Sequence, residues 1–130
     1  MKILCIGQSA YDITLPVTDY PKENRKVKIG NSKVECGGGA SNNAAYLLGY
    51  WGSDVSLVSC IGNDIYGEKI KKELESVNVD ISNFEVLDME TTTSYIIANT
   101  NMGTRTIITN KNPLMKFIDN HEINVKPDVK

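Results

Sequence analysis

Three consecutive glycines running into a helix-forming stretch offer a ligand bare backbone, and Gly37-Gly38-Gly39-Ala40-Ser41-Asn42-Asn43 has that form. Glycine lets the main chain come close to a ligand, and the free N–H groups of a first helical turn point at it. Three chemistries compete for such a segment. A dinucleotide fingerprint fits Gly37 and Gly39, but Asn42 stands where the third glycine belongs and works against close strand–helix packing. A P-loop fails, because no Gly-Lys-Ser/Thr follows. A polar small-molecule site suits Asn42, whose amide can donate and accept at once, as vicinal sugar hydroxyls require. A tight turn with a capping asparagine and no ligand is the fourth reading of the same residues.

Asp12 is the second candidate. Ile3 to Ile6 is an apolar run closed by Gly7, the pattern of a strand buried on both faces. Gln8 to Asp12 then reads as a loop at that strand's carboxyl end, where ligands bind in open α/β sheets. Asp64 has a plainer role, since Asn63-Asp64 precedes a helical pattern and is expected to cap it. Little else is available for catalysis. His121 is the sole histidine, and Cys5, Cys36 and Cys60 lack metal-ligand spacing.

The elements that must hold these residues follow from periodicity. Ile13/Leu15/Val17 and Val27/Ile29 alternate with polar residues, which predicts two half-exposed strands over 13–20 and 25–36. A helix follows the glycines, with Ser41 or Asn42 as its N-cap and Gly49 or Gly52 as its stop. Val55 to Ile61 is a second buried strand. The helix after Asp64 places Ile65, Ile70, Leu74 and Val77 near one face, with Lys69, Lys71 and Lys72 read as solvated. Thr93 to Ala98 and Thr104 to Thr109 form a hairpin around a five-residue loop ending in Gly103. The pattern fades beyond Asn112-Pro113, and 123–129 looks like the approach to another strand. The alternation of strands and helices predicts an α/β fold: a parallel sheet with flanking helices plus a small separate sheet.

Composition excludes several classes. Charged residues are 23% of the chain with a net charge of −2, and the basic residues are dispersed, so no nucleic-acid surface is expected. No apolar run has the length of a signal peptide or of a membrane span. The cysteines read as reduced thiols of a cytoplasmic protein.

Gly37-Gly38-Gly39-Ala40-Ser41-Asn42-Asn43-Ala44, followed by Gly49, Gly52 and Ile61-Gly62-Asn63-Asp64-Ile65-Tyr66-Gly67, closely resembles the first signature of the ribokinase-like (PfkB) carbohydrate kinase family. The opening strand with Gly7-Gln8-Ser9-Ala10-Tyr11-Asp12 resembles that family's first strand and substrate-binding aspartate, and the strands at 93–109 resemble its lid. The resemblance implies a partial ribokinase-like fold in which residues 1–130 are the N-terminal part of one domain, with lid strands within about 13–36 and 93–109. It implies that Asp12 and Asn42 bind sugar hydroxyls, that Gly38 contributes backbone contacts, and that Gly37 and Gly39 belong with them to the substrate-binding residues; Tyr95 and Arg105 lie on the lid. The family's Gly-Ala-Gly-Asp and Asn-x-x-Glu motifs, which serve phosphoryl transfer, are not found in this chain. The implied activity is phosphorylation of a sugar or sugar-like hydroxyl, with ATP and magnesium bound by a full-length parent and not by this chain alone, which is expected to be inactive by itself. A nucleoside kinase of the same family and a non-catalytic sugar-binding or interaction module are the alternatives. Pairing of lids into a homodimer is a further expectation.

Overall fold

The computed structural model describes residues 1–29, 33–113 and 115. In chain order the elements are β1 (Lys2–Ile6), β2 (Ala10–Val17), β3 (Val34–Gly38), α1 (Ala40–Tyr50), β4 (Asp54–Gly62), α2 (Ile65–Glu75), β5 (Phe84–Leu87), β6 (Thr93–Asn99) and β7 (Thr104–Asn110). They build two sheets. The first is parallel, in the order β1-β4-β5. Its central strand β4 is buried at every residue after Asp54, so a run without polar alternation is what the position demands. α1 packs on β1 and β4 and touches α2. Leu57, Ile61, Ile70 and Leu74 form the middle of the core, and burying each stabilises the fold by about 1.5–3 kcal/mol.

The second sheet has the order β3-β2-β6-β7, with β2 and β6 parallel and the outer pairs antiparallel. This is the separate small sheet that alternation forecasts. α2 lies behind it. The Tyr11 ring of β2 stacks on Tyr66 with centroids 4.8 Å apart, and Lys69 Nζ sits 5.2 Å from the Tyr11 centroid. Lys69 is therefore a clamp between helix and sheet, whereas the sequence pattern places it on a solvated face.

Several boundaries differ from expectation. Asp12 lies inside β2, because alternation begins with Ala10 and Tyr11 rather than after a loop. Residues 25–29 are not a strand. β3 begins at Val34, and its register with β2 runs from Ala10↔Gly38 to Thr14↔Val34. Gly37 and Gly38 are consequently strand residues, and Gly39 is the N-cap of α1 in place of Ser41 or Asn42. Ser41 Oγ instead donates to the Ile6 carbonyl. Ile65, at the first turn of α2, is 68% exposed rather than part of the packed face. β5 carries no alternation signal and was not expected. His121 and the strand approach at 123–129 lie outside the described residues.

Candidate functional site

Successive strand residues point to opposite faces, so the register sorts the candidates. Asp12 faces the same side as its partners Cys36 and Ser94, and as Gly38 two residues beyond Cys36. The fit there is close. A Cβ on Gly38 would meet Asp12 Oδ1 at 2.7 Å, with Cγ and Oδ2 nearer still, so the carboxylate occupies the space that the missing side chain leaves. Partial burial pushes the Asp12 carboxyl above its ordinary range, and the Ser94 hydroxyl beside it offsets part of that rise. Ser94 Oγ in turn lies 3.5 Å from Thr109 Oγ1.

Gly37 serves the other face. Its N–H donates to Glu73 Oε2 at 2.6 Å, and a Cβ there would stand 2.9 Å from both Glu73 Oε2 and Asn42 Nδ2. Asn42 is buried in the first turn of α1. Its Oδ1 accepts from Ser9 Oγ at 3.3 Å, and Ser9 Oγ accepts from Ser59 Oγ at 2.8 Å. A cavity of about 480 Å³ opens here, lined by Cys36, Gly37, Asn42, Asn43, Tyr46 and Glu73. Gly39 has φ 93, and its missing side chain leaves room for the Gln8 carbonyl.

The structure thus brings Asp12 to Gly38 and Ser94, and Asn42 to Gly37 and Ser9. Asp12 and Asn42 do not share one face: they pack against consecutive residues of β3 from opposite sides. Tyr95, half-exposed, faces away from Asp12 and lines a cavity with Tyr66 and Thr93, while Arg105 is exposed on β7. Asp64 is the helix cap, accepting from Gly67 N at 2.8 Å. It also accepts from Thr91 N at 2.8 Å and Thr91 Oγ1 at 2.6 Å. Burial pushes its carboxyl up, but these hydrogen bonds outweigh burial and hold it below the usual carboxylate range.

Sequence reasoning missed Ser9, Ser94 and Glu73. Ser94 had a signal, as a polar residue on the lid strand that pairs with β2; Glu73 had none, since its partner is a backbone N–H 36 residues away. Among the described residues no group of three or more His, Cys, Asp or Glu side chains could hold a metal ion. Among them also, no helix is long and apolar enough to cross a membrane.

Comparison with known proteins gives the class to which this α/β frame with its separate sheet belongs. The pfkB family of carbohydrate kinases matches residues 1–130. A nucleoside kinase of Methanothermobacter thermautotrophicus is 31% identical over 98 residues, 75% of this chain and 31% of that protein. An ATP-dependent ribose-1-phosphate kinase of Halopiger xanaduensis is 28% identical over 100 residues, 76% of this chain and 33% of that protein. A structure from Agrobacterium tumefaciens assigned as a ribokinase superposes with a TM-score of 0.82 at 26% identity, covering 94% of this chain and 40% of that one. The chain belongs to the pfkB family of carbohydrate kinases and has the N-terminal part of the ribokinase-like fold. It spans about one third of the length of the curated relatives it matches.

Proposed function

We propose that this chain is the substrate-holding part of an ATP-dependent kinase that phosphorylates a hydroxyl of a sugar or of the sugar moiety of a nucleoside. The observation that carries the reading is the Asp12 carboxylate, set against Gly38 on the open face of the second sheet. An ionised carboxylate accepts from two neighbouring hydroxyls at once, and the absent Gly38 side chain gives that carboxylate its place. Asn42, braced by Ser9, lies on the other side of β3 and lines the neighbouring cavity, with Gly37 and Gly39 keeping the backbone bare around it. The β3-β2-β6-β7 sheet acts as the lid.

Magnesium and ATP belong to the portion of the protein beyond these residues, which supplies the base and the charge neutralisation that phosphoryl transfer needs. The chain's own share of the work is to hold the acceptor hydroxyl in place. The nucleoside reading is retained because one of the relatives is a nucleoside kinase. On the Asp12 face of the lid, Val34 and Ile107 are 58% and 49% exposed, and pairing of two lids across this apolar strip gives a homodimer.

The test is ATP consumption by the whole protein across a panel of pentoses, hexoses, phosphosugars and nucleosides, beside the 130-residue chain alone. Turnover by the whole protein, lost to the isolated chain, is expected. Asp12→Ala in the whole protein should raise the acceptor KM far more than the ATP KM. A whole protein that consumes ATP with none of the panel and binds none of it refutes the reading, as does turnover by the isolated chain. Sedimentation of Ile107→Asp against the parent tests the dimer.

A further inference from the structure

The face of α2 that lies behind the lid is built as a rail for β3. Among the described residues β3 is the outer strand of its sheet, and no described strand meets its outward backbone groups. Two side chains of α2 reach that strand. Lys69 Nζ is 3.5 Å from Glu35 Oε2, and Glu73 Oε2 is 2.6 Å from the Gly37 N–H. The spacing matches: four residues of helix advance about 6 Å, and two residues of strand advance about 6.6 Å. Residues 69 and 73 therefore meet 35 and 37 in step, and Tyr66, one turn before Lys69, stacks on Tyr11 of the neighbouring strand.

Glu73 differs from the other two contacts in what it holds. Lys69 and Tyr66 grip side chains, whereas Glu73 grips the backbone of the residue next to Gly38. A charge-assisted bond of 2.6 Å to an N–H fixes that peptide in position and orientation. The Gly38 backbone carries the space in which the Asp12 carboxylate sits. Asn42, which lines the same cavity as Glu73, closes on Gly37 from α1.

We infer that Glu73 is a positioning residue for the acceptor substrate: its carboxylate, acting through the Gly37 N–H, sets the placement of Gly37-Gly38 against Asp12 and Asn42. The inference rests on the proposed sugar-kinase reading and adds to it a residue that touches no substrate.

The experiment uses the whole protein with Glu73→Leu and Glu73→Gln. Leu removes the acceptor; Gln keeps a carbonyl oxygen in reach of the N–H. Glu73→Leu is expected to raise the acceptor KM by about 10-fold, the size of one lost hydrogen bond to a charged group, with kcat and the ATP KM within about 2-fold of the parent. Glu73→Gln should restore the acceptor KM to within about 3-fold, a rescue that a general loss of packing would not show. Amide hydrogen exchange in the peptide spanning residue 37 should speed up in the Leu variant and stay slow in the Gln variant. A Leu variant with fast exchange and an unchanged acceptor KM overturns the role of Glu73 while the kinase reading stands. Equal loss of kcat, ATP KM and acceptor KM in both variants overturns it too. A parent protein that binds no sugar or nucleoside at all overturns the kinase reading and this inference together.

Discussion

Gly38→Ala separates stability from binding at the candidate site. The new Cβ would lie 2.7 Å from Asp12 Oδ1 and closer to the rest of that carboxylate, and nothing but Asp12 stands that near. The end of a side chain can rotate where a backbone cannot, so β3 keeps its place and the carboxylate swings away. The cost is an off-rotamer side chain, about 0.5–1.5 kcal/mol. Replacing a strand glycine offsets about 0.5–1 kcal/mol of this. Net stability should change by no more than about 1 kcal/mol. The effect on binding is larger. On the proposed reading a displaced carboxylate forfeits two hydrogen bonds from substrate hydroxyls to a charged acceptor, each about 1.5–3 kcal/mol, or about 10²- to 10⁴-fold in acceptor affinity. Acceptor KM in the whole protein, measured beside a urea midpoint, reads both quantities. Asp12→Ala and the double variant Gly38→Ala/Asp12→Ala complete a cycle in which the second substitution should add almost nothing. Additive effects, or an acceptor KM within about 2-fold of the parent in Gly38→Ala alone, would refute the reasoning.

Three further outcomes are expected of the whole protein. Asp64→Ala removes a helix cap and strands the buried Thr91 N–H and hydroxyl, so its urea midpoint should fall by the equivalent of about 3–5 kcal/mol, with Asp64→Asn intermediate. Hydrogen bonds from the Ser82 side chain and N–H, then the Lys2 ammonium, hold Asp80 down to about 2. A depressed carboxyl stabilises above its unfolded pKa and ceases to do so as pH falls through the folded one; Asp80→Asn should therefore cost about 1 kcal/mol at neutral pH, after discounting for solvent screening, and nothing at the acid end of a urea-midpoint series. Burial keeps the Asp12 carboxyl high and the Ser94 hydroxyl lowers it, so acceptor kcat/KM should decline on acidification at a higher pH than an ordinary carboxylate gives, and Ser94→Ala should move that decline higher still; an unmoved profile in a folded Ser94→Ala variant counts against the Ser94 contact.

What the sequence reveals and what it hides divide along the range of the causes. The Asp64 cap is legible because its partner Gly67 is three residues away and the apolar spacing that follows marks a helix. β4 is legible because burial on both faces needs only a continuous apolar run. Gly37 and Gly38 look like a turn, yet both are extended. The reasons for glycine there are Asp12, Asn42 and Glu73, and a string of glycines does not say which distant groups crowd it. Lys26-Val27-Lys28-Ile29 misleads in the opposite way. Its alternation is real, but Val27 and Ile29 lie exposed in a segment outside any strand. Glu73 stays hidden because its partner is a backbone N–H on a strand 36 residues away, which helical periodicity does not reveal.

The second sheet distributes its work by rows as well as by faces. On the Asp12 side one row crosses all four strands as Cys36, Asp12, Ser94 and Thr109. The next row along is Val34, Thr14, Ile96 and Ile107. The first is rich in hydroxyl and carboxylate oxygens; the second is mostly branched aliphatic. Neighbouring rows lie about 6.6 Å apart, two strand residues, so the aliphatic row borders the polar one. The opposite side of the same strands carries Tyr11 and Ile13, which are buried in the core against α2. A substitution that shifts β2 by one residue would exchange these faces, burying Asp12 and exposing Tyr11. The register that makes the sheet stable is therefore the same register that presents the carboxylate. The contacts behind the sheet, Tyr66 on Tyr11, Lys69 on Glu35 and Glu73 on Gly37, are what hold that register against the body of the protein.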